Sequence, residues 1–205
     1  MALVLTGTWE QALLAATAQA ADPSSSGGYL GRTALQKILY FLQISGVPMR
    51  YRFDIYHYGP YCERIYRDVE LLLADGALRD ASSNPEKYSN YKPGEAAEEL
   101  LQPHQAALDP HRKTIASVVK ALLPFKPEHL EILATLDYLY RQLRAGGGQG
   151  PWKERVLARF MDVKKDKFDK VEVASAYDSL VGANLIESRE PRPAGGCKGS
   201  PRVRK

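Results

Sequence analysis

The chain has 205 residues, 44% of them apolar, and a formal net charge of +4; that suits one domain of good size or two small ones, and the small charge argues against a surface devoted throughout to polyanions. No apolar run approaches the roughly 20 residues needed to span a bilayer, so no membrane partner is expected. The two cysteines, Cys62 and Cys197, have no CxxC or CxxH neighbours, which excludes a disulfide framework and a common zinc site and fits a reducing cytoplasm.

Residues 8–21 read as a first helix with Thr8 as N-cap. The segment lacks a basic leader, and Trp9, Glu10 and Gln11 interrupt its apolar run, so it reads as an amphipathic helix and not as an export signal. DPSSSGG (22–28) is a flexible link. RTALQKILYFLQISG (32–46) is a second helix: Leu35, Ile38, Leu39 and Leu42 recur at i, i+3, i+4 and i+7, and Gly46 is placed to end it. A short strand is expected around 52–57, where Phe53, Ile55 and His57 alternate with Arg52, Asp54 and Tyr56. Gly59-Pro60 should stop that strand, with Pro60 pre-setting the first turn of the helix that follows.

That helix, YCERIYRDVELLLADG (61–76), has Ile65, Val69, Leu72 and Leu73 as its buried stripe and Gly76 as its left-handed stop. Residues 77–92 should form a hairpin packed beside it, with SSNPE as the turn and Tyr88 and Tyr91 in the return strand. KPGEAAEELL (92–101) opens a further helix. Helix, short strand, helix and hairpin follow one another as in a winged helix, with the hairpin as the wing.

From 109 the chain reads as helical, starting with Asp109 as cap and Pro110 in the first turn. In KPEHLEILATLDYLYRQLRAGGG, Leu130, Leu133, Leu136 or Asp137, and Tyr140 fall on one side. GGGQGP (146–151) is a loop, and MDVKKDKFDK (161–170) reads as a solvated mixed-charge connector. VELLLADGALRD and YDSLVGANLIES both end a helix with small residues and a short apolar strand, a weak internal echo. The fold class expected is mainly α with a small β-hairpin: an N-terminal helix and linker (1–28), a winged-helix-like domain (29–108), a C-terminal helical region (109–187) and a disordered basic tail (188–205).

The tail has six cations against one carboxylate, a net of +5, which leaves residues 1–187 at −1. Its Pro/Gly-rich composition cannot order itself by burial. It reads either as a solubilising end or as a nucleic-acid-binding arm.

The motif Leu35-Gln36-Lys37-Ile38-Leu39-Tyr40-Phe41, followed by Tyr58-Gly59-Pro60-Tyr61 and then Asp75-Gly76-Ala77-Leu78, resembles the core of the YwgA-like proteins, which share ground with the Panacea (SocA-like) antitoxin domain. The likeness covers about 32–101 well and the C-terminal helices loosely. It implies a mostly helical domain with a winged-helix-like centre, no known catalytic residues and, for some Panacea-type members, neutralisation of a toxin encoded nearby.

Three kinds of chemistry can be set against YHYGPYCERIY (56–66). Aromatic side chains anchor protein interfaces, so Tyr56, Tyr58 and Tyr61 are candidates for a partner surface. A winged-helix regulator would instead use Arg64 and Arg67 on the 61–75 helix and Lys87 and Lys92 on the wing, although that helix carries a net charge of −2. A cysteine enzyme would need Cys62 as nucleophile and His57 as base, across a Gly-Pro turn and without a nearby orienting carboxylate or amide. His104, His111 and His129 are scattered, and there is no HExxH, GxGxxG or GKS order, so no metal or cofactor is expected. The reading for function is therefore a cytoplasmic, non-enzymatic interaction or regulatory module with a protein partner, in a toxin–antitoxin or phage-defence setting. A DNA-binding regulator is the first alternative, a cysteine-dependent enzyme the second, and self-association as a homodimer is compatible with either binding reading.

Overall fold

The computed structural model describes residues 7–22 and 29–187. The expected basic tail, all but the first residue of the expected link, and residues 1–6 lie outside the described residues.

Helix α1 (Trp9–Ala20) starts where expected: the Thr8 hydroxyl accepts from the Gln11 N–H and the Gln11 side chain accepts from the Thr8 N–H, a reciprocal cap. Its amphipathic reading is corrected. Ala12, Leu13, Leu14, Ala15 and Thr17 are wholly buried and Glu10, Ala16 and Ala18 nearly so. The alanines that weakened the apolar stripe in sequence let neighbouring elements approach from several sides.

Helix α2 (Arg32–Ile44) leads through an extended segment into a tight antiparallel hairpin, β1 (Asp54–Tyr56) and β2 (Gly59–Tyr61). The hairpin corrects the expectation for Gly59-Pro60: these residues do not stop a strand but form the return strand. Pro60 is tolerated there because it faces Ile55 in the ladder, between the Asp54–Tyr61 and Tyr56–Gly59 pairs. Cys62, not Pro60, is the residue that enters helix α3 (Glu63–Ala74). Helix α3 buries Ile65, Val69 and Leu72 as expected, with Asp68 buried and Leu73 only partly so, and ends at Gly76, whose φ of +70° is the left-handed stop read from the sequence.

Residues 77–92 supply the expected second hairpin. Strands β3 (Leu78–Asp80) and β4 (Tyr91–Pro93) pair antiparallel, and β3 packs beside α3. Tyr88 falls in the connection, exposed, and not in the return strand. The two hairpins form separate two-stranded sheets, so β1 pairs with β2 and not with the wing candidate.

The next segment is broken into α4 (Ala97–Leu101), α5 (Gln105–Leu108) and α6 (Arg112–Leu122) by single 3-10 turns at Pro103 and Pro110. Asp109 does not act as the expected cap; its carboxylate accepts from Arg112 Nε at 2.8 Å. Helix α7 (Pro127–Ala145) is the axis of the molecule, packed against α2, β2, α8 (Trp152–Lys164) and α9 (Lys170–Gly182). It buries not one side but an unbroken run from Leu130 to Asp137. The echo of 69–80 in the C-terminal stretch is not realised as a strand. Asn184 and Glu187 have φ of +54° and +56°, and that backbone cannot continue as a strand. One cluster of buried apolar residues runs from Ala12 to Ile186. The fold is thus mainly helical with two small antiparallel sheets, and no helix among the described residues is long and apolar enough to cross a membrane.

Candidate functional site: a tyrosine-lined groove over a buried lysine clamp

The helix LQKILYF and the hairpin YGPYC meet through the polar side chains of the helix. Gln36 closes a two-way bond with the Cys62 backbone, donating from Nε2 to its carbonyl at 2.9 Å and accepting its N–H at 3.0 Å. Lys37 donates to the Pro60 carbonyl at 2.6 Å, and Tyr40 donates to Asp137 Oδ2 at 2.6 Å on α7. All seven residues from Leu35 to Phe41 are buried. The apolar period found the helix, but it did not find these three polar ties, because Gln, Lys and Tyr at such positions look like a solvated face.

Asp137 is completely buried. Burial pushes its carboxyl up, while the fork from Arg141 (2.7 and 3.1 Å) and the Tyr40 hydroxyl oppose that shift. Arg141 also reaches the Leu185 carbonyl at 3.2 Å, so this network fastens α2, α7 and the C-terminal turn together.

The far side of the hairpin is held by the run that reads as a solvated connector, and that expectation is corrected. Lys164 is buried and donates to the His57 carbonyl and to Glu131 Oε1, both at 2.8 Å. Lys167 binds both Glu131 oxygens, at 2.9 and 2.8 Å, and its ammonium stands 4.8 Å from the centre of the Tyr58 ring. A carboxylate buried on α7 is what draws Lys164 out of solvent and holds the exposed Lys167 beside it; the sequence places Glu131 33 residues before Lys164, where no local pattern connects them.

Lys37 lies 1% exposed in this setting. Burial lowers its pKa to about 7; the Glu131 carboxylate pulls it back up and Lys164 pushes it further down. Between about 7 and the ordinary value of 10.5 the unfolded chain holds a proton that the folded chain releases, so this group makes stability rise with pH across that window. Below it both states are protonated, and the cost of burying the charge is fully present. Lys37→Met should therefore flatten the rise in stability between about pH 7 and 10 by a few kcal/mol, at roughly 1.4 kcal/mol per pKa unit. Urea midpoints across that range measure it, and an unchanged slope would remove Lys37 as the cause.

On the outer side of the same joint, α2, the β1–β2 turn and α3 enclose a groove of about 320 Å³. Its walls are aliphatic at Leu35, Ile65 and Val69 and aromatic at Tyr56, Tyr58, Tyr61, Tyr66 and Tyr91. Tyr56, Tyr58 and Tyr66 are 60%, 62% and 47% exposed, which is unusual for rings that could have been buried. A second, wider concavity of about 790 Å³ lies across Tyr56, Tyr61 and Tyr66, which line both, and it adds Arg50, Arg52 and Arg64. The three tyrosines expected as partner contacts are thus brought to one site. Tyr66, Arg50 and Arg52 were not among the expected residues. Tyr66 was legible as an aromatic off the Ile65–Val69–Leu72 stripe; the arginines were not, because they sit in an irregular segment.

Of the four basic residues of the DNA reading, Arg64 alone lines either groove. Arg64 stands 3.9 Å from Glu10 and 3.7 Å from Asp68, and Arg67 is paired with Glu63 at 2.7 Å. Lys92 sits opposite Arg79 in the β3–β4 ladder and Lys87 is exposed in the connection; neither lines the grooves. For the cysteine reading, Cys62 is buried at the entry to α3, with both backbone groups held by Gln36, while His57 is exposed with its ring against Tyr56. Among the described residues no group of three or more His, Cys, Asp or Glu side chains could hold a metal ion.

A search of family models gives no match. The chain is 32% identical over 69 residues to the uncharacterized protein YwgA of Bacillus subtilis (strain 168). That stretch is 34% of this chain and spans 42% of the length of YwgA, so the similarity supports a YwgA-like relationship over part of each protein.

Proposed function

We propose that the protein is a non-enzymatic interaction module that takes a segment of a partner protein on the tyrosine-lined groove. The observation that supports this is the set of three exposed tyrosines around an aliphatic-walled concavity, Tyr56 and Tyr58 on a hairpin held by Lys37, Gln36 and Lys164 and Tyr66 on α3 beside it. Large aromatic side chains on a preorganised backbone are the usual anchors of such interfaces. If the ground that YwgA-like proteins share with the Panacea-type antitoxins extends to this chain, its partner is a toxin encoded nearby. The order α2, α3, β3–β4 supports a winged-helix-like description of the centre, with the difference that β1 pairs with its own return strand.

The DNA-regulator alternative makes the opposite demand on the chain. Residues 1–187 carry −1, so duplex binding would need the +5 tail for its phosphate contacts. Binding of the product of the adjacent gene, measured by calorimetry, should survive deletion of residues 188–205. It should weaken by more than about tenfold in Tyr56→Ala/Tyr58→Ala, with the circular dichroism spectrum unchanged. Tight, sequence-selective duplex binding by the tail-deleted protein would replace the interaction reading with the regulator.

A further inference from the structure

The charge around the groove narrows what it can hold. Of the described residues lining the tyrosine groove none is acidic, while Arg32 and Lys37 are basic. Across the ridge of Tyr56, Tyr61 and Tyr66 stand Arg50 and Arg52. Arg32, Arg50 and Arg52 are exposed, and none forms an ion pair with another described residue. The other charges on this face are largely answered: Arg64 by Glu10 and Asp68, and Glu63 by Arg67, leaving Asp54 as the one carboxylate lining the two grooves that has no such partner. The arginines without an ion-pair partner at the two adjoining grooves, Arg32, Arg50 and Arg52, thus outnumber the one such carboxylate, Asp54.

Resting on the interaction reading above, we infer that the occupant is an acidic segment of a partner polypeptide, with a bulky apolar side chain flanked by carboxylates. The apolar side chain enters between Leu35, Ile65 and Val69 under the tyrosine rims, where its transfer from water drives binding. The carboxylates meet Arg50 and Arg52, whose guanidinium groups have no ion-pair partner among the described residues and offer bidentate bonds, while Arg32, which also donates to the Pro85 carbonyl at 3.3 Å, adds positive charge on the other side of the ridge. Steering by these charges favours acidic partners over basic ones.

Single-stranded nucleic acid would use the same residue types, tyrosines for stacking and arginines for phosphates. One feature disfavours it: the groove runs between the aliphatic side chains of Leu35, Ile65 and Val69, which suit an apolar side chain, and not across a flat stacking surface.

The test is selection of a random dodecapeptide phage library on the full chain, followed by anisotropy titration of fluorescein-labelled synthetic copies of the enriched peptides. A fluorescein-labelled oligothymidylate of the same length is titrated alongside. Enriched peptides should carry Asp or Glu on both sides of a Phe, Trp, Leu or Ile. Their affinity should fall by more than about tenfold in Tyr58→Ala/Tyr66→Ala and in Arg50→Glu/Arg52→Glu, and should weaken with salt. Enriched peptides without acidic residues that still lose affinity in the tyrosine variant would overturn the acidic occupant and leave the groove reading standing. Peptides indifferent to the tyrosine variant, or no enrichment over bare support, would overturn both. Tighter binding of oligothymidylate, lost in the arginine variant, would assign the surface to single strands instead.

Discussion

Gly59→Ala should destabilise the protein by on the order of 2–4 kcal/mol, out of proportion to the addition of one methyl group. Two causes act together. Gly59 has φ of +82°, a backbone conformation that costs an alanine about 1 kcal/mol or more. A Cβ built there would also stand 2.5 Å from Thr135 Oγ1 and 3.4 Å from the Glu131 carbonyl, within the run 130–137 of α7 whose residues are all buried. The two causes can be separated. Thr135 Oγ1 is buried without a hydrogen-bond partner, so Thr135→Ala alone should cost little beyond the packing of its γ-methyl group. Combined with Gly59→Ala it should recover the steric part and leave the backbone part. Urea unfolding followed by circular dichroism measures all three variants. A single Gly59→Ala variant as stable as the parent would show that the hairpin does not dock on α7 as described.

Glu131→Gln should cost roughly 3–5 kcal/mol, the range expected when one partner of a buried ion pair loses its charge. The Glu131 and Lys164 side chains are 2% and 4% exposed, so Lys164 cannot turn to water once the carboxylate is gone. Lys167 can, at 40%, and should contribute little. The same change removes the only carboxylate that supports the charged form of Lys37 among the groups acting on it, so the Lys37 pKa should fall further. Replacing both members, Glu131→Gln with Lys164→Met, should restore part of the loss, because a neutral packed pair avoids the uncompensated charge. The His57 carbonyl loses its donor in that double variant, which keeps the recovery incomplete. A loss below about 0.5 kcal/mol for Glu131→Gln would mean that the pair is solvated and does not hold the hairpin.

Local pattern carried most of the element assignments. The 3.6-residue period of Leu35, Ile38, Leu39 and Leu42 and of Ile65, Val69 and Leu72 located α2 and α3, and Thr8 and Gly76 marked ends that the backbone then showed. Those signals are local, since each depends on residues within one or two turns. The candidate site was half legible on the same ground: Tyr56, Tyr58 and Tyr61 are dense in the sequence, and they do line one groove.

What the sequence by itself determined is therefore the helical frame, the second hairpin and the aromatic character of the YGP turn, because hydrophobic period, capping and turn chemistry act between near neighbours. Only the tertiary structure decided which polar residues are core. Gln36, Lys37, Glu131, Asp137 and Lys164 have the composition of a wet surface, yet each is buried by a partner between 23 and 107 positions away. A buried polar group is stable only where its partner is, and that partner is set by how α2, α7, α8 and the β1–β2 hairpin meet in space.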